Sequence, residues 1–228
     1  MDFSWMTIII VILLIIIVYF VWTMLSSSSS TTSTGTTALK TETSLKITGG
    51  NTNTFSFKTW IAINSWGGAG NIIKTPATGT PTTSDFSLTL GTTSNDLIFS
   101  YKVPATGETI QTVTLSNIVP LQTWASIIIS VNNGYSADIY INGKLVQSVA
   151  LKGVYNLSAS SVTVGGGGTA DGYISTTFSP TSTGPQDAWN IYSSGFGSGS
   201  SGVTDFFNKY KVRFAFVKDN VELSRLDI

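Results

Sequence analysis

Met6–Leu25 (MTIIIVILLIIIVYFVWTML) is a run of twenty residues without a single charge. As a helix such a run extends about 30 Å, the thickness of a bilayer's hydrocarbon core. The sequence therefore predicts a membrane span at 1–25, with everything behind it a tethered domain. A cleaved secretory leader fits less well. No Lys or Arg precedes the run, its apolar part is too long for an h-region, and no A-x-A site follows. Trp5 near one end, and Tyr19 with Trp22 near the other, are expected as anchors at the headgroup level. Orientation is weakly specified. Asp2 alone is charged ahead of the run, whereas Lys40 and Lys46 follow it, which leans toward a C-terminal domain on the cytosolic side.

Behind the apolar run, Ser26–Thr37 is Ser and Thr throughout apart from Gly35. A tract with nothing to bury reads as a solvated linker, here over 26–44, with a fully extended reach of at most ~60 Å. The remaining residues, 45–228, suffice for one domain with a substantial core. Twelve acidic and twelve basic residues cancel, so no broad field for nucleic acid is indicated. With neither Cys nor His in the chain, disulfides, thiolate chemistry, the commonest zinc ligand and any Ser-His-Asp triad are excluded.

From about Ser44 the apolar period is two. Phe55, Phe57, Thr59, Ile61 and Ile63 fall on one face of a strand, opposite Ser56, Lys58, Trp60, Ala62 and Asn64. Further strands are predicted at 86–90, 97–103, 124–131, 137–141 and 145–150. Tight turns are expected at Asn132-Asn133-Gly134 and at Asn142-Gly143, because Asn and Gly tolerate the positive φ of hairpin turns. Pro185–Ser193 predicts a short helix that Gly195 stops, and the alternation of Tyr210, Val212, Phe214 and Phe216 predicts a closing strand. Many short strands with Gly, Asn and Pro between them make the chain all-β, an antiparallel sandwich.

Particular residues add a resemblance. Trp124, followed by Tyr140-Ile-Asn-Gly-Lys-Leu-Val146, resembles the middle of concanavalin A-like, laminin G-like jelly-roll domains. Phe55-Ser-Phe-Lys-Thr-Trp60-Ile and Asn71-Ile-Ile-Lys74 are similar to the family's early strands, and Val164-Gly-Gly with Gly172-Tyr-Ile174 to its late ones. The resemblance covers residues 46–205 and implies a jelly-roll β-sandwich carried on one N-terminal transmembrane helix. The order of span, spacer and sandwich also resembles membrane-anchored minor capsid proteins of large DNA viruses of algae and other protists. That likeness implies a virion location at an internal membrane, with shell proteins as partners.

The chemistry of the candidate sites is sparse. Glucan-cleaving members of the family carry E-x-D-x-x-E on one strand, which sets two carboxyl groups ~5 Å apart. Here Asp219 and Glu222 are the nearest approach, with Asp219 in an expected turn, so no catalytic residue is assigned. A structural calcium could draw on Asn132, Asn133 and Asp138, or on Asn95 and Asp96, but turn chemistry explains both sets. Gly165–Gly168 lacks the lysine and helix of a phosphate loop. For carbohydrate, Trp66 beside Gly67-Gly68 is the candidate platform, with Asn64, Asn71 and Tyr135 as helpers; the competing reading has Trp66 capping the core. Trp60 and Trp124 read as core packing, and Asn156-Leu157-Ser158 as a glycosylation sequon that matters only in a lumen. The expectation is a non-catalytic, membrane-anchored structural protein without cofactor, whose alternative is a membrane-bound lectin or adhesin.

Overall fold

The computed structural model describes residues 12–19, 31–49, 52–78, 83–102, 110–197, 213–218 and 221–227. The chain divides into two compact units, one formed by Ser29–Phe196 and one by Met1–Ser28 with Gly197–Ile228.

The first unit is a sandwich of two antiparallel sheets. The seven-stranded sheet runs β1 (Thr32–Ser33), β15 (Asp171–Ser179), β4 (Phe55–Ser65), β11 (Trp124–Asn132), β12 (Ser136–Ile141) and β13 (Lys144–Ala150), with β2 (Thr37–Ala38) also on β15. The six-stranded sheet runs β10 (Ile110–Leu115), β9 (Leu97–Lys102), β8 (Phe86–Leu90), β5 (Gly70–Lys74), β14 (Ser161–Val164) and β3 (Thr43–Lys46). A small pair, β6 (Ala77–Thr78) with β7 (Thr83–Ser84), stands apart.

The alternation in β4 produces this layering. Phe55, Phe57, Thr59, Ile61 and Ile63 are all buried, and face the core with Ile127 and Ile129 of β11 and Ile174 and Phe178 of β15. Phe86, Leu88 and Phe99 meet them from the other sheet. Phe86 lies 5.8 Å from Phe55 and 5.3 Å from Phe99, each edge-on. Both predicted hairpin turns form with left-handed backbone, at Asn133 (φ 51°) with Gly134 (φ 70°), and at Asn142 (φ 50°) with Gly143 (φ 74°).

Two boundaries differ from the sequence expectation. The Ser/Thr linker does not run to residue 44, because Thr32–Ser33 and Thr37–Ala38 pair with β15 and Leu39 is buried in the core. An edge strand joins through backbone hydrogen bonds, which ask little of its side chains beyond β-compatibility, and threonine supplies that. At the other end, β16 (Arg213–Lys218) and β17 (Val221–Asp227) pair with each other as a separate two-stranded sheet, so the described part of the expected closing strand, from Arg213 on, belongs to neither sheet of the sandwich.

In the second unit, residues 12–19 are helical, and Ile12 to Tyr19 are 51–68% exposed. Among the described residues no helix is long and apolar enough to cross a membrane. The rest of the run at 6–25 lies outside them, as do Trp5 and Trp22.

Burial pushes the Tyr155 phenol well above its usual range, with the Asp85 carboxylate adding to it, and burial raises Tyr140 as well. A phenol harder to ionise folded than unfolded contributes stability below pH about 10, lost progressively as pH rises beyond that. Stability measured by denaturant melts should therefore fall above that pH, and Tyr155→Phe should flatten the fall. An equally steep fall in the variant would contradict this assignment.

Candidate functional site: an aromatic cleft between hairpin and helix

The outer face of β4 and β11 carries Ser56 and Ser130, hydroxyls that a strand normally turns to water. Here the segment after β15 covers them. Ser56 Oγ donates to the Thr181 carbonyl at 2.9 Å, Thr183 Oγ1 donates to Ser56 Oγ at 2.8 Å, and the Thr183 amide donates to Ser130 Oγ at 2.8 Å. Each polar group is thus satisfied as it is buried, which fixes where the following helix starts.

That helix, Pro185–Ser194, has proline in its first turn and Asp187 close behind, both suited to an N-terminus. Ala188 is fully buried against Ile128 and Tyr140, and Ile191 packs beside it. Gly195 ends the helix with a positive φ of 83°, its amide donating to the Tyr192 carbonyl. Beneath the helix, burial lowers the Lys58 ammonium and Asp187 partly restores it.

Aromatic rings complete the cover. Trp60 stacks on Tyr192 at 6.4 Å, and Trp124 stacks on Phe196 at 3.6 Å with 11° between the planes. Trp60 and Trp124 do pack as expected, but on this outer face and not between the sheets.

The β12–β13 turn abuts the helix from the side. Asn142 holds the turn to β11, its amide donating to the Ser126 carbonyl at 2.8 Å and its Oδ1 accepting from the Ser126 amide at 3.0 Å. Gly143 sits so close that a Cβ there would lie 3.1 Å from Trp189 Cα and from Tyr192 Cβ. Between turn and helix lies a cleft of about 500 Å³, lined by Ile118, Ile141, Asn142, Lys144, Val146, Trp189 and Tyr192. Trp189 remains 47% exposed and Lys144 is exposed, without an ion pair among the described residues. An open indole, a phenol, one ammonium and an apolar wall suit binding by stacking and hydrogen bonding. No carboxylate stands among these lining residues.

The residues singled out in the sequence are scattered by comparison. Trp66 packs against the core, its indole nitrogen buried without a hydrogen-bond partner, and it presents no platform with a usable donor. The 66–69 connection folds onto the 165–169 loop, where Thr169 Oγ1 contacts the Gly67 carbonyl. Asn71 belongs to that same contact, its amide donating to the Gly166 carbonyl at 2.8 Å and its side chain lying against Gly167. The glycines of 165–168 thus serve close backbone packing. Asn64 is exposed near the end of β4. Tyr135, 63% exposed, sits in the turn beyond β11, whose Val131 pairs with Phe55 at the start of β4. An eleven-residue strand separates it from Trp66, roughly 30 Å, so the two cannot share a ligand.

Oxygens considered for calcium are engaged in local bonds. Asp138 accepts from Asn132 Nδ2 at 3.2 Å and from Ser148 Oγ at 2.5 Å. Asp96 accepts from Ser94 Oγ at 2.6 Å and from the Asn117 amide at 2.8 Å, which holds its carboxyl below the usual range. Asn156 and Ser158 of the sequon are exposed. Asp219 lies outside the described residues, as does the side chain of Glu222.

The profile of the concanavalin A-like lectin/glucanases superfamily matches residues 32–206. The chain belongs to that superfamily. Its match begins at β1, in agreement with the early start of the sandwich. Among solved structures, the binding domain of botulinum neurotoxin serotype G aligns with a TM-score of 0.55 at 12% identity, covering 73% of this chain and 47% of that one. The serotype D ligand binding domain in complex with N-acetylneuraminic acid gives 0.54 at 14%, covering 70% and 42%. The binding domain of neurotoxin DC in complex with rat synaptotagmin II gives 0.50 at 17%, covering 74% and 47%. At such identities the likeness is one of fold, and the chain spans less than half the length of these domains. No curated protein matches the chain in sequence.

The glycine of the turn supplies a test. Gly143→Ala should destabilise the domain by about 1–2 kcal/mol, the cost of a left-handed non-glycine residue, and should displace Trp189. Thermal melting reads the first effect and acrylamide quenching of tryptophan the second. An unchanged melting temperature would contradict the close approach of turn and helix.

Proposed function

We propose that this chain is a membrane-anchored, non-catalytic binding protein whose sandwich engages its partner through the helix–hairpin cleft. The half-exposed Trp189 in a cleft of aromatic and apolar residues carries this reading, since burying that indole against a partner is the main gain the surface offers. The anchor is supported by the uncharged run at 6–25 and by the outward exposure of Ile12–Tyr19, the arrangement a lipid-facing helix requires. In its finer form the proposal makes the chain a minor component of a large DNA virus particle. The helix would sit in the internal membrane beneath the capsid and the sandwich would dock on shell proteins. The order of span, Ser/Thr tract and sandwich, with few charges, supports that form.

Removing residues 1–25 should release the protein from its membrane or particle, read by fractionation. A truncated chain that still assembles would count against the tether. Cross-linking mass spectrometry through Lys144 and Lys152 should recover one abundant partner reproducibly.

A second reading, a membrane-bound lectin or adhesin, is favoured by the same indole, because an exposed aromatic face flanked by Lys144 and the Asn142 amide suits a sugar ring. Under it, Trp189→Ala should abolish glycan binding in a titration, whereas Trp66→Ala should cost stability without a specific loss of affinity. Glycan binding that survives Trp189→Ala would exclude the cleft as its site.

A further inference from the structure

The side chains around the helix–hairpin cleft are donors and hydrocarbon. Asn142 Oδ1 accepts from the Ser126 amide at 3.0 Å, which fixes the side chain and leaves its Nδ2 group to donate elsewhere. Lys144 Nζ, the Trp189 indole N–H and the Tyr192 hydroxyl also meet no protein acceptor among the described residues. Ile118, Ile141 and Val146 form the apolar wall. Of the lining side chains, the Tyr192 hydroxyl alone keeps a lone pair to offer a ligand's donor.

The acids of the sandwich are engaged elsewhere. Glu42 pairs with Lys74, Asp171 with Lys40 and Asp85 with Lys102. Asp96 and Asp138 accept from hydroxyl and amide donors beside them, and the charge of Asp187 acts on Lys58. These are all the acidic residues described within Ser29–Phe196, and each has a partner other than Lys144. The cleft therefore carries one positive charge that the domain itself does not neutralise.

We propose that the occupant of this cleft is a protein segment in which an acidic residue stands beside an apolar one. Its carboxylate meets Lys144 Nζ and Asn142 Nδ2, and its apolar neighbour lies against Trp189 and the wall of Ile118, Ile141 and Val146. The inference rests on the cleft being the partner site, as proposed above, and adds the partner's chemistry. A carboxylate brings acceptors only, which complements side chains that bring donors, and a charged pair makes those hydrogen bonds stronger than neutral ones. A neutral sugar is a poorer match, because each of its hydroxyls donates as well as accepts and the lining side chains return one acceptor. A basic segment would set its own charge against Lys144.

Random-peptide phage display against the full-length chain, immobilised in detergent, tests this. The enriched peptides should carry Asp or Glu next to a large apolar residue. The leading one, made synthetically and titrated by fluorescence anisotropy, should bind Lys144→Gln roughly tenfold more weakly, lose affinity as salt is raised, and retain most of it on Lys144→Arg. Replacing its acid by the matching amide should weaken binding to the unmodified chain by a similar factor. Lys144 is exposed, so both variants should melt with the unmodified chain. Enriched peptides that depend on Trp189 yet show no acidic preference overturn the acidic occupant and leave the cleft as the partner site. Peptides that bind Trp189→Ala undiminished, or a selection that enriches none, overturn the occupant and the site together. A glycan array that yields Trp189-dependent binding where the peptide selection yields none gives the cleft to a sugar and overturns the proposal.

Discussion

The meeting of phenylalanines between the two sheets is the contact on which everything else rests. Phe55, Phe57 and Phe178 from one sheet and Phe86 and Phe99 from the other are fully buried. Their centroids stand 5.3–5.7 Å apart along the chain of contacts from Phe178 through Phe57 and Phe86 to Phe99. Each ring removed from water is worth about 1.5–3 kcal/mol, and edge-on geometry adds roughly 0.5–1.5 kcal/mol per pair. The rings fix the spacing of the sheets and the facing of β4. Once Phe55 and Phe57 point inward, Ser56, Lys58 and Trp60 must point outward.

That outward face is where the domain acquires something other than stability. A sheet with a greasy outer face needs a cover, and the 179–196 segment supplies it. Its route is set by hydroxyl pairs at Ser56, Ser130 and Thr183 and its end by rings stacked on Trp60 and Trp124. The cover is incomplete at one corner, where the β12–β13 turn meets the helix and Trp189 stays half in solvent. The cleft is thus a by-product of how a helix seats on a twisted sheet beside a hairpin.

How far the sequence reveals this depends on the range of the interaction concerned. Alternation in β4 and the Asn-Gly pairs at 133–134 and 142–143 are local signals, and the structure forms the strands and left-handed turns they indicate. The helix at 185–194 was legible from Pro185, Asp187 and Gly195 for the same reason. The edge strands at 32–38 were not, because backbone bonding to β15 is indifferent to the serines and threonines that suggest a linker. Trp66 invited attention as an aromatic beside glycines, yet those glycines lie against Thr169 and the ring packs against the core. The cleft joins residues 118, 142–146 and 189–192, and no local pattern links them.

The small pairings of β1 and β2 carry a mechanical consequence. A pull on the chain ahead of Thr31 meets two residue pairs at Thr32 and Ser33, then two at Thr37 and Ala38, before any aromatic ring is disturbed. Load applied across the strands breaks such bonds one after another, at low force, until Leu39 must be drawn from the core. The seven residues from Thr32 to Ala38 would then pay out about 20 Å of chain with the sandwich intact. Under tension, this N-terminal edge would yield length before the core does.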